Sequence, residues 1–390
     1  MSVGIERLHV YLPPWRFPLD REERGDESPG GGDRAMAVAP PWDDAVTMGA
    51  TAARRLLERA GVAAGEIGLL VVGTTRRSAV GGPVAPLIHD LLGIHATCRS
   101  FDLYHGSYGG GAAVLVAADW IRAARGRARR ALVVTTDVPA LRLPACAAHG
   151  LGAAAVALLV GSEPRVLLLG EETGMWTRAR REPDAAETAL EEAWLDGLGG
   201  AFLAFRPLEY PEPVGEEVVT DRLARLLLQP PRPELAARGH RRLLELDWQA
   251  NARRWAREQP RLAEACAAAF AEQVEPTLAI LRQAGHVGAA ALWLELAALL
   301  EAEGRRLGGR RLGLHAWGRG DAAEFFTGLV PATVGQVAEA GLAAALAQRR
   351  PIDEASYARA VQHHEQGMMP EPPLAGDFVL GPCGRYERIA

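Results

Sequence analysis

Short, almost uninterrupted apolar runs alternate with helix-like segments through the first half of the chain. The runs with the length and composition of buried strands are "IERLHVYLP", "IGLLVVGTT", "CRSFDLYHG", "RARRALVVTTDVP", "GAAAVALLVGSE" and "RVLLLGEETGMW". Between them, "DDAVTMGATAARRLLERAG" has helical spacing, an aspartate at its start and a glycine at its end. Strands that alternate with helices predict a layered α/β architecture.

The second half of the chain is richer in predicted helices, which include "AEACAAAFAEQVEPTLAILRQAG" and "AALWLELAALLEAEG". The strand, glycine turn and helix predicted over 98–124 are expected to recur at 310–327. This recurrence predicts two related halves. We place them at 1–165, which contains the glycine turn of the 98–124 segment, and at 166–390, which contains a divergent helical segment around 205–265.

Composition excludes several classes of function. The chain contains no lysine, so Schiff-base chemistry and a phosphate-loop lysine are both excluded. The net charge is -5, which does not indicate bulk nucleic-acid binding. The four cysteines, Cys98, Cys146, Cys266 and Cys383, form no CxxC pair, so no metal finger or redox motif is expected.

The N-terminus lacks the layout of a signal peptide, and no apolar run reaches the roughly 18 residues of a membrane helix. A reducing cytoplasm is therefore the expected compartment. A metal site is also not expected, because the adjacent pair His363 and His364 would diverge on a helix.

The stretch "DLYHGSYGGG" places Ser107 where a buried strand passes directly into a helix. The free N–H groups of a first helical turn and the helix dipole both favour negative charge at such a point. Together they can form a seat for a nucleophile with an oxyanion hole. The alternative is that Ser107 is only a helix cap, a role that serine commonly fills. The stretch is also not the GxSxG elbow of hydrolases.

Residues 98–124, "CRSFDLYHGSYGGGAAVLVAADWIRAA", resemble the nucleophile segment of 3-hydroxy-3-methylglutaryl-CoA synthases. They are most similar to the versions that act on carrier proteins in polyketide β-branching. Further similar stretches, in the same order as in the family, are "MAVAPPWDDAVTMGATAA", "LIHDLLGI", "FAEQVEPTLAILRQAGHVGAAALWLELAALLE" and "AWGRGDAAEFF". The resemblance implies the thiolase-type five-layered αβαβα fold, a homodimer, and a pantetheine tunnel that leads to the nucleophile.

The resemblance also identifies four departures from the family's site. Ser107 replaces the nucleophilic cysteine, and Thr75 replaces the general-base glutamate. Gln229 stands in the position of the catalytic histidine, and His286 in that of an asparagine. Threonine cannot act as a carboxylate base, so ordinary condensation is not expected.

We hypothesise an acyltransferase in which Ser107 accepts an acyl group from a CoA or carrier-protein thioester. The acceptor would be a hydroxyl, an amine or a thiol. His286 is the predicted base, since serine needs one. Asp321 is the predicted orienting group, with a helix cap as its alternative role. Glu295 is the weaker candidate, with a position on a solvated helix face as its alternative. The oxyanion would lie against the backbone of Ser107 and of the 318–320 turn, through Gly318 and Gly320.

The alternative hypothesis is a catalytically degenerate homologue that binds an acyl chain or a carrier protein. In either case the expected ligand is an acyl-CoA or a phosphopantetheine thioester, used as a substrate, with no bound cofactor. Arginine clusters at 122–130 and 304–311 are candidates for carrier or phosphate docking, with solvated loop ends as the alternative. His105 is interpreted as a packed residue and His240 as part of a helix surface.

Overall fold

The computed structural model describes residues 2–19, 34–78, 81–123, 130–139, 150–179, 187–209, 215–319, 322–334, 340–366, 377–380 and 386–389. Its strands are β1 (Gly4–Tyr11), β2 (Trp15–Pro18), β3 (Ala35–Val38), β4 (Ile67–Gly73), β5 (Arg99–Leu103), β6 (Arg130–Asp137), β7 (Ala154–Gly161), β8 (Leu167–Thr177), β9 (Leu223–Leu227), β10 (Arg311–Gly318), β11 (Ala322–Leu329), β12 (Arg350–Pro351), β13 (Phe378–Leu380) and β14 (Tyr386–Arg388).

Its helices are α1 (Ala45–Ala60), α2 (Val84–Leu91), α3 (Tyr108–Ala123), α4 (Glu187–Glu209), α5 (Ala236–Gln249), α6 (Ala252–Glu258), α7 (Leu262–Gln273), α8 (Ala279–Ala284), α9 (Ala291–Leu307), α10 (Leu342–Gln348) and α11 (Glu354–Gln366). The start of α1 agrees with the sequence, because Asp44 accepts hydrogen bonds from Val46 N and Thr47 N. Its end agrees too, because Gly61 adopts the left-handed conformation, with φ of 63°.

Nine strands form one sheet in the order β5-β4-β6-β7-β1-β8-β11-β10-β9. The two halves of this sheet meet only where β1 pairs with the first residues of β8, Gly4 opposite Leu168 and Ile5 opposite Leu167. Within the first half, β4 runs parallel to both β5 and β6. Their carboxyl ends, at Gly73, Leu103 and Asp137, therefore lie together at one edge of the sheet.

The two faces of the first half of the sheet belong to different cores. Leu70 and Val72 point into a core with α1 and α2, whereas Leu69 and Val71 point into a second core with α3 and α9. This alternation follows from the two-residue period of a strand. The helix α3 packs on β4 and β6 and also on β10, so it lies between the two halves of the sheet.

The fourth helix covers the other face of β8 and β11. The resulting order is outer helices, first half-sheet, central helices, second half-sheet, outer helix. The predicted thiolase-type fold is therefore confirmed.

Three local predictions differ from the structure. The element after the turn at Gly318 is the strand β11, not a helix, so the strand–turn–helix arrangement of 98–124 does not recur at 310–327. The predicted continuous helix over 263–285 is divided into α7 and α8 by a single 3₁₀ turn at Glu275–Leu278 that contains Pro276. The divergent segment contains an unpredicted edge strand, β9, which pairs in parallel with β10.

Candidate active site

Ser107 occupies the junction between β5 and α3, directly before Tyr108, the first residue of the helix. A serine at this position usually caps the helix by accepting a hydrogen bond from the first turn. Among the described residues the Ser107 hydroxyl makes no hydrogen bond, and the N–H groups of Gly109 and Gly110 bond instead to the carbonyls of Gly106 and Ser107. Ser107 is therefore not used as a cap, and its oxygen is available for chemistry.

The glycines after Ser107 are required by close packing. A Cβ on Gly110 would lie 1.9 Å from the Ala289 carbonyl oxygen, and a Cβ on Gly111 would lie 2.3 Å from the Ala316 Cβ. Trp293 also donates a hydrogen bond from Nε1 to the Gly110 carbonyl at 2.9 Å. Through these contacts, the segment that carries His286 and the strand β10 pack closely against the start of α3.

The turn after β10 lies against the turn that carries Ser107. A Cβ on Gly318 would lie 2.3 Å from the His105 carbonyl oxygen, and a Cβ on Gly106 would lie 3.1 Å from the Arg319 backbone nitrogen. Gly106 also has a φ of 51°, a conformation that favours glycine. The described part of the predicted 318–320 turn therefore approaches Ser107, whereas the predicted residues Gly320 and Asp321 lie outside the described residues.

Gln229 is fully buried and links the second half of the chain to Ser107. Its Nε2 donates to the Ser107 carbonyl oxygen at 3.3 Å, and its Oε1 accepts from the Trp317 backbone N–H at 2.9 Å. It is also the one non-glycine residue of the described chain with a positive φ, 45°. The position inferred from the resemblance thus lies beside Ser107, where the glutamine carries no titratable group and fixes the backbone.

His286 lies three residues before Ala289, whose carbonyl packs against Gly110, and the hydrogen bond at its ring indicates a tautomer. Its Nδ1 accepts a hydrogen bond from the Gly288 N–H at 3.2 Å. A neutral imidazole that accepts at Nδ1 carries its hydrogen on Nε2. Burial lowers the pKa of His286 to about 4, so the ring is neutral at neutral pH.

This tautomer argues against the predicted base role. His286 Nε2 can donate a hydrogen bond, as the amide of the family's asparagine can, but it has no lone pair available to take a proton from Ser107. In the described structure no hydrogen bond joins the two side chains. The Ser107–His286 dyad stays a prediction, and this geometry favours a hydrogen-bond donor at His286.

The carboxylate of Asp137, which the sequence did not predict as a site residue, accepts hydrogen bonds from Thr75. The Asp137 Oδ1 accepts from the Thr75 N–H and from the Thr75 hydroxyl, both at 2.7 Å, and from the Thr74 hydroxyl at 3.0 Å. Its Oδ2 accepts from the Ala289 N–H at 2.6 Å. Burial raises the pKa of Asp137 to about 6, and the hydrogen bonds oppose that rise.

Asp137 thus places a buried carboxylate beside Thr75, the predicted counterpart of the family's general-base glutamate. It accepts a hydrogen bond from the Thr75 hydroxyl, and its pKa of about 6 is close to neutral pH. A general base is most effective when its pKa lies near the working pH. The sequence contained a signal for it, since "VVTTD" ends a buried strand at the same sheet edge as Thr75 and Ser107.

Other candidate residues lie away from this pocket or are structural. The surface prediction for His240 is wrong, because its side chain is buried and bonds through Nε2 to Gln273 Oε1 at 3.0 Å. A solvated face is also wrong for Glu295, which is fully buried with neither oxygen hydrogen-bonded. The ring of His105 packs edge-on against Tyr108 with centroids 5.5 Å apart, as a packed residue does.

One described arginine from each predicted cluster lies at the far end of an element that carries the site. Arg122 is fourteen residues along α3 from Tyr108, which corresponds to about 21 Å at 1.5 Å per residue. Arg311 lies at the opposite end of β10 from Gly318, about 23 Å away at 3.3 Å per residue. Neither of these two arginines flanks Ser107, and residues 124–129 of the first cluster lie outside the described residues. No group of acidic, histidine or cysteine residues that could hold a metal ion occurs among the described residues.

Comparison with known proteins agrees with this geometry. The family model "Hydroxymethylglutaryl-coenzyme A synthase N terminal" matches residues 1–165, and "Hydroxymethylglutaryl-coenzyme A synthase C terminal" matches 236–371. The structure is similar to that of MvaS in complex with 3-hydroxy-3-methylglutaryl coenzyme A, with a TM-score of 0.89, 31% identity and 99% of each chain covered.

Two curated relatives show the range of the similarity. One is hydroxymethylglutaryl-CoA synthase of Enterococcus faecalis, 27% identical over 84% of this chain and 83% of the relative. The other is the polyketide biosynthesis 3-hydroxy-3-methylglutaryl-ACP synthase PksG of Bacillus subtilis, 26% identical over 76% of this chain and 71% of the relative.

The large central sheet and the helices that flank it define a protein of the thiolase fold. More specifically, this chain belongs to the hydroxymethylglutaryl-CoA synthase family. Members of this family are enzymes of acyl-transferring condensation. In the described part of the chain, no helix is both long enough and apolar enough to span a bilayer.

Proposed function

We propose that this chain is an acyltransferase in which Ser107 carries the acyl group and a Thr75–Asp137 pair receives the proton. The observation that carries the proposal is the Asp137 carboxylate, which bonds both to Thr75, at the family's base position, and to Ala289, close to His286. One buried carboxylate therefore links the Thr75 segment to the segment that follows His286.

In the first step the Ser107 oxygen attacks the thioester carbonyl carbon. The Ser107 proton passes to the Thr75 oxygen as the Thr75 proton passes to Asp137. His286 Nε2–H and the backbone N–H groups of Ser107 and Arg319 donate to the carbonyl oxygen, where negative charge develops. The C–S bond then breaks. The leaving thiolate takes the proton from Asp137 and departs as a thiol.

In the second step the hydroxyl, amine or thiol acceptor attacks the acyl-serine ester. The same pair takes the acceptor's proton and returns one to the Ser107 oxygen as the C–O bond breaks. The thioester is an acyl-CoA or an acyl carrier protein, since the similar proteins include one named for CoA and one named for ACP. The similarity to the polyketide relative supports a role in secondary metabolism.

The proposal predicts different rates of thiol release for three substituted chains. The release is measured with acyl-CoA and acyl-carrier thioesters in the presence of acceptors. Ser107→Ala removes release, and Ser162→Ala, an exposed serine elsewhere, does not. Asp137→Asn lowers the rate by about 10²–10⁴, the usual contribution of a general base. The wild-type rate should fall as pH drops below about 6, where Asp137 becomes protonated.

The His286 variants separate a donor from a base. His286→Asn keeps an N–H donor and retains most of the rate, whereas His286→Leu loses about 10²–10³, as removal of an oxyanion donor does. If His286→Asn were as inactive as His286→Leu, the imidazole would be the base and the Thr75–Asp137 route would be wrong.

A second candidate function is thioester binding without covalent chemistry. It is favoured by one observation: in the described structure the Ser107 hydroxyl is not hydrogen-bonded to His286 or to Thr75. Catalytic hydrogen bonds often close only when substrate is bound, so the observation does not decide the matter. Saturable thioester binding with no thiol release from the wild type, for any donor and acceptor, would select this function.

We also propose that two copies associate through the edge strand β5, as the family resemblance implies. In the described chain β5 pairs only with β4, so its other edge presents unpaired backbone groups. Tyr104, which follows it, is 45% exposed. Antiparallel pairing of two β5 strands about a twofold axis would continue the sheet and satisfy both edges.

A further inference from the structure

Two exposed arginines, Arg76 and Arg77, directly follow Thr75 in the chain. Two residues of extended chain span at most about 7 Å, so the backbone of Arg77 lies within that distance of Thr75. The sheet edge from which they extend packs against the Ser107 turn, since a Cβ on the last residue of β4 would lie 2.6 Å from the Gly109 carbonyl oxygen. The two arginines therefore lie beside the proposed acyl-transfer site.

The backbone of this segment is held on both sides of the arginines. Before them, the Thr74 hydroxyl accepts a hydrogen bond from the Arg76 N–H at 3.3 Å. After them, Ser78 is buried, and its hydroxyl donates to the Gly82 carbonyl oxygen at 2.9 Å and accepts from the Gly82 N–H at 3.1 Å. The side chains of Arg76 and Arg77 thus extend from an anchored backbone.

The positive charge of these side chains is not paired within the described part of the chain. Neither guanidinium group forms a hydrogen bond or an ion pair there. On the side of Arg77, its charge acts on Tyr104, whose hydroxyl donates to Asp102. The Asp102 carboxylate also accepts from two N–H groups at the start of α2, at 2.7 Å each, so it is engaged by donors other than Arg77.

The surroundings of Arg76 likewise contain no paired counter-charge among the described residues. Burial lowers the pKa of His364, and the positive charges of His363 and Arg76 act in the same direction, so the His364 ring is neutral at neutral pH. Asp44, which acts on the same ring in the opposite direction, caps α1 and accepts from the Tyr386 hydroxyl. Arg76 therefore remains available to an anionic ligand.

The position of the two arginines indicates which anion they would meet. Thr75 belongs to the proposed proton route, so the reacting group of a substrate lies beside it. The phosphates of CoA and of phosphopantetheine lie at the far end of the pantetheine arm from the thioester. A carboxylate on the acyl chain or on the acceptor is only a few bonds from the reacting atom, and guanidinium groups bind carboxylates through paired hydrogen bonds.

We propose that Arg76 and Arg77 bind a carboxylate on the substrate, close to its reacting group. The inference rests on the proposed acyl transfer and names its substrate class. The carboxylate belongs either to the acyl donor, which is then the monothioester of a dicarboxylic acid, or to the acceptor.

Two matched pairs of substrates test this proposal through thiol release. The donor pair is succinyl-CoA and butyryl-CoA, which have acyl chains of equal length, and the acceptor pair is 3-hydroxybutyrate and its methyl ester. The wild type should give at least tenfold higher kcat/KM for the charged member of one pair, and that pair identifies the source of the carboxylate. Arg76→Gln combined with Arg77→Gln should abolish the preference, because charge-assisted hydrogen bonds are lost, and Arg76→Glu combined with Arg77→Glu should invert it.

Titration calorimetry makes the test independent of turnover. Ser107→Ala cannot form the acyl-serine, so the affinity for each member of both pairs is measured in this variant, with and without the arginine changes. Absence of thiol release from the wild type with every substrate would contradict the proposed acyl transfer. A charge preference in binding that the arginine changes remove would still support the present inference.

The control variant is Arg253→Gln, which removes an exposed charge in α6 and should keep the preference. Circular dichroism establishes that each variant is folded. Equal rates and equal affinities for the charged and neutral members of both pairs would overturn the proposal, as would a preference that persists without the two arginines. An equal loss for succinyl-CoA and butyryl-CoA would also overturn it, because the arginines would then bind the phosphates that both thioesters share.

Discussion

Glu295→Gln is expected to change how the stability of the chain depends on pH. Glu295 lies in the core within α9, fully buried, with both oxygens lacking hydrogen bonds. Burial raises the pKa of this carboxyl well above its ordinary value, so the folded state holds the proton when the unfolded state has released it. Between the unfolded and folded pKa values, stability therefore falls as pH rises.

The magnitude follows from linkage. Each pH unit that lies between the unfolded and folded pKa values reduces the folding equilibrium about tenfold, which is about 1.4 kcal/mol per pH unit through this one group. Glutamine has the same shape and does not titrate. The free energy of unfolding of Glu295→Gln should therefore lack this decrease, so that it rises relative to that of the wild type by up to about 1.4 kcal/mol for each pH unit in the interval.

Urea unfolding followed by circular dichroism at pH 5, 6 and 7 measures this difference. Comparison of the two proteins at each pH cancels the titration of every other group. Parallel pH profiles for the wild type and Glu295→Gln would refute the reasoning, since they would mean that Glu295 ionises equally easily in the folded and unfolded states.

Three further outcomes are expected. Gly110→Ala should destabilise the fold by about 1–3 kcal/mol or more in a urea titration, because its Cβ meets the Ala289 carbonyl, whereas Gly65→Ala, with nothing within 4 Å, should not. Asp137→Asn should weaken the hydrogen bonds to Thr75, so the amide hydrogens of the Thr75 segment should exchange faster. Unchanged exchange would mean that the Asp137 carboxylate does not stabilise this segment. Light scattering should give twice the chain mass, and a single-chain mass at micromolar concentration would contradict pairing through β5.

The parts of the fold that depend on burial alone were predictable from the sequence. The strands β4, β6 and β7 are buried on both faces, so they appear as continuous apolar runs. The edge strand β9 was not recognised, because its five residues lie in a divergent segment and pair only with β10. The strand β11 was mistaken for a helix, because a short apolar run after a glycine turn does not distinguish the two states.

The site was predictable in position but not in chemistry. The resemblance places Ser107, Gln229 and His286 in regions that the structure brings together, and Gln229 lies directly on Ser107. The tautomer of His286 depends on a single hydrogen bond, which comes from the N–H of Gly288, a residue with a φ of 57°. The role of Asp137 depends on which side chains meet it at the sheet edge. Sequence spacing determines neither of these contacts.

The acylation of Ser107 tests the central claim most directly. The chain is incubated with a panel of acyl-CoA and acyl-carrier thioesters without an acceptor, and its intact mass is measured, followed by peptide mapping. We predict a mass increase equal to the acyl group, located on Ser107, absent in Ser107→Ala and slower to appear in Asp137→Asn. An unmodified wild-type chain with every donor, or an adduct that persists in Ser107→Ala, would contradict the account.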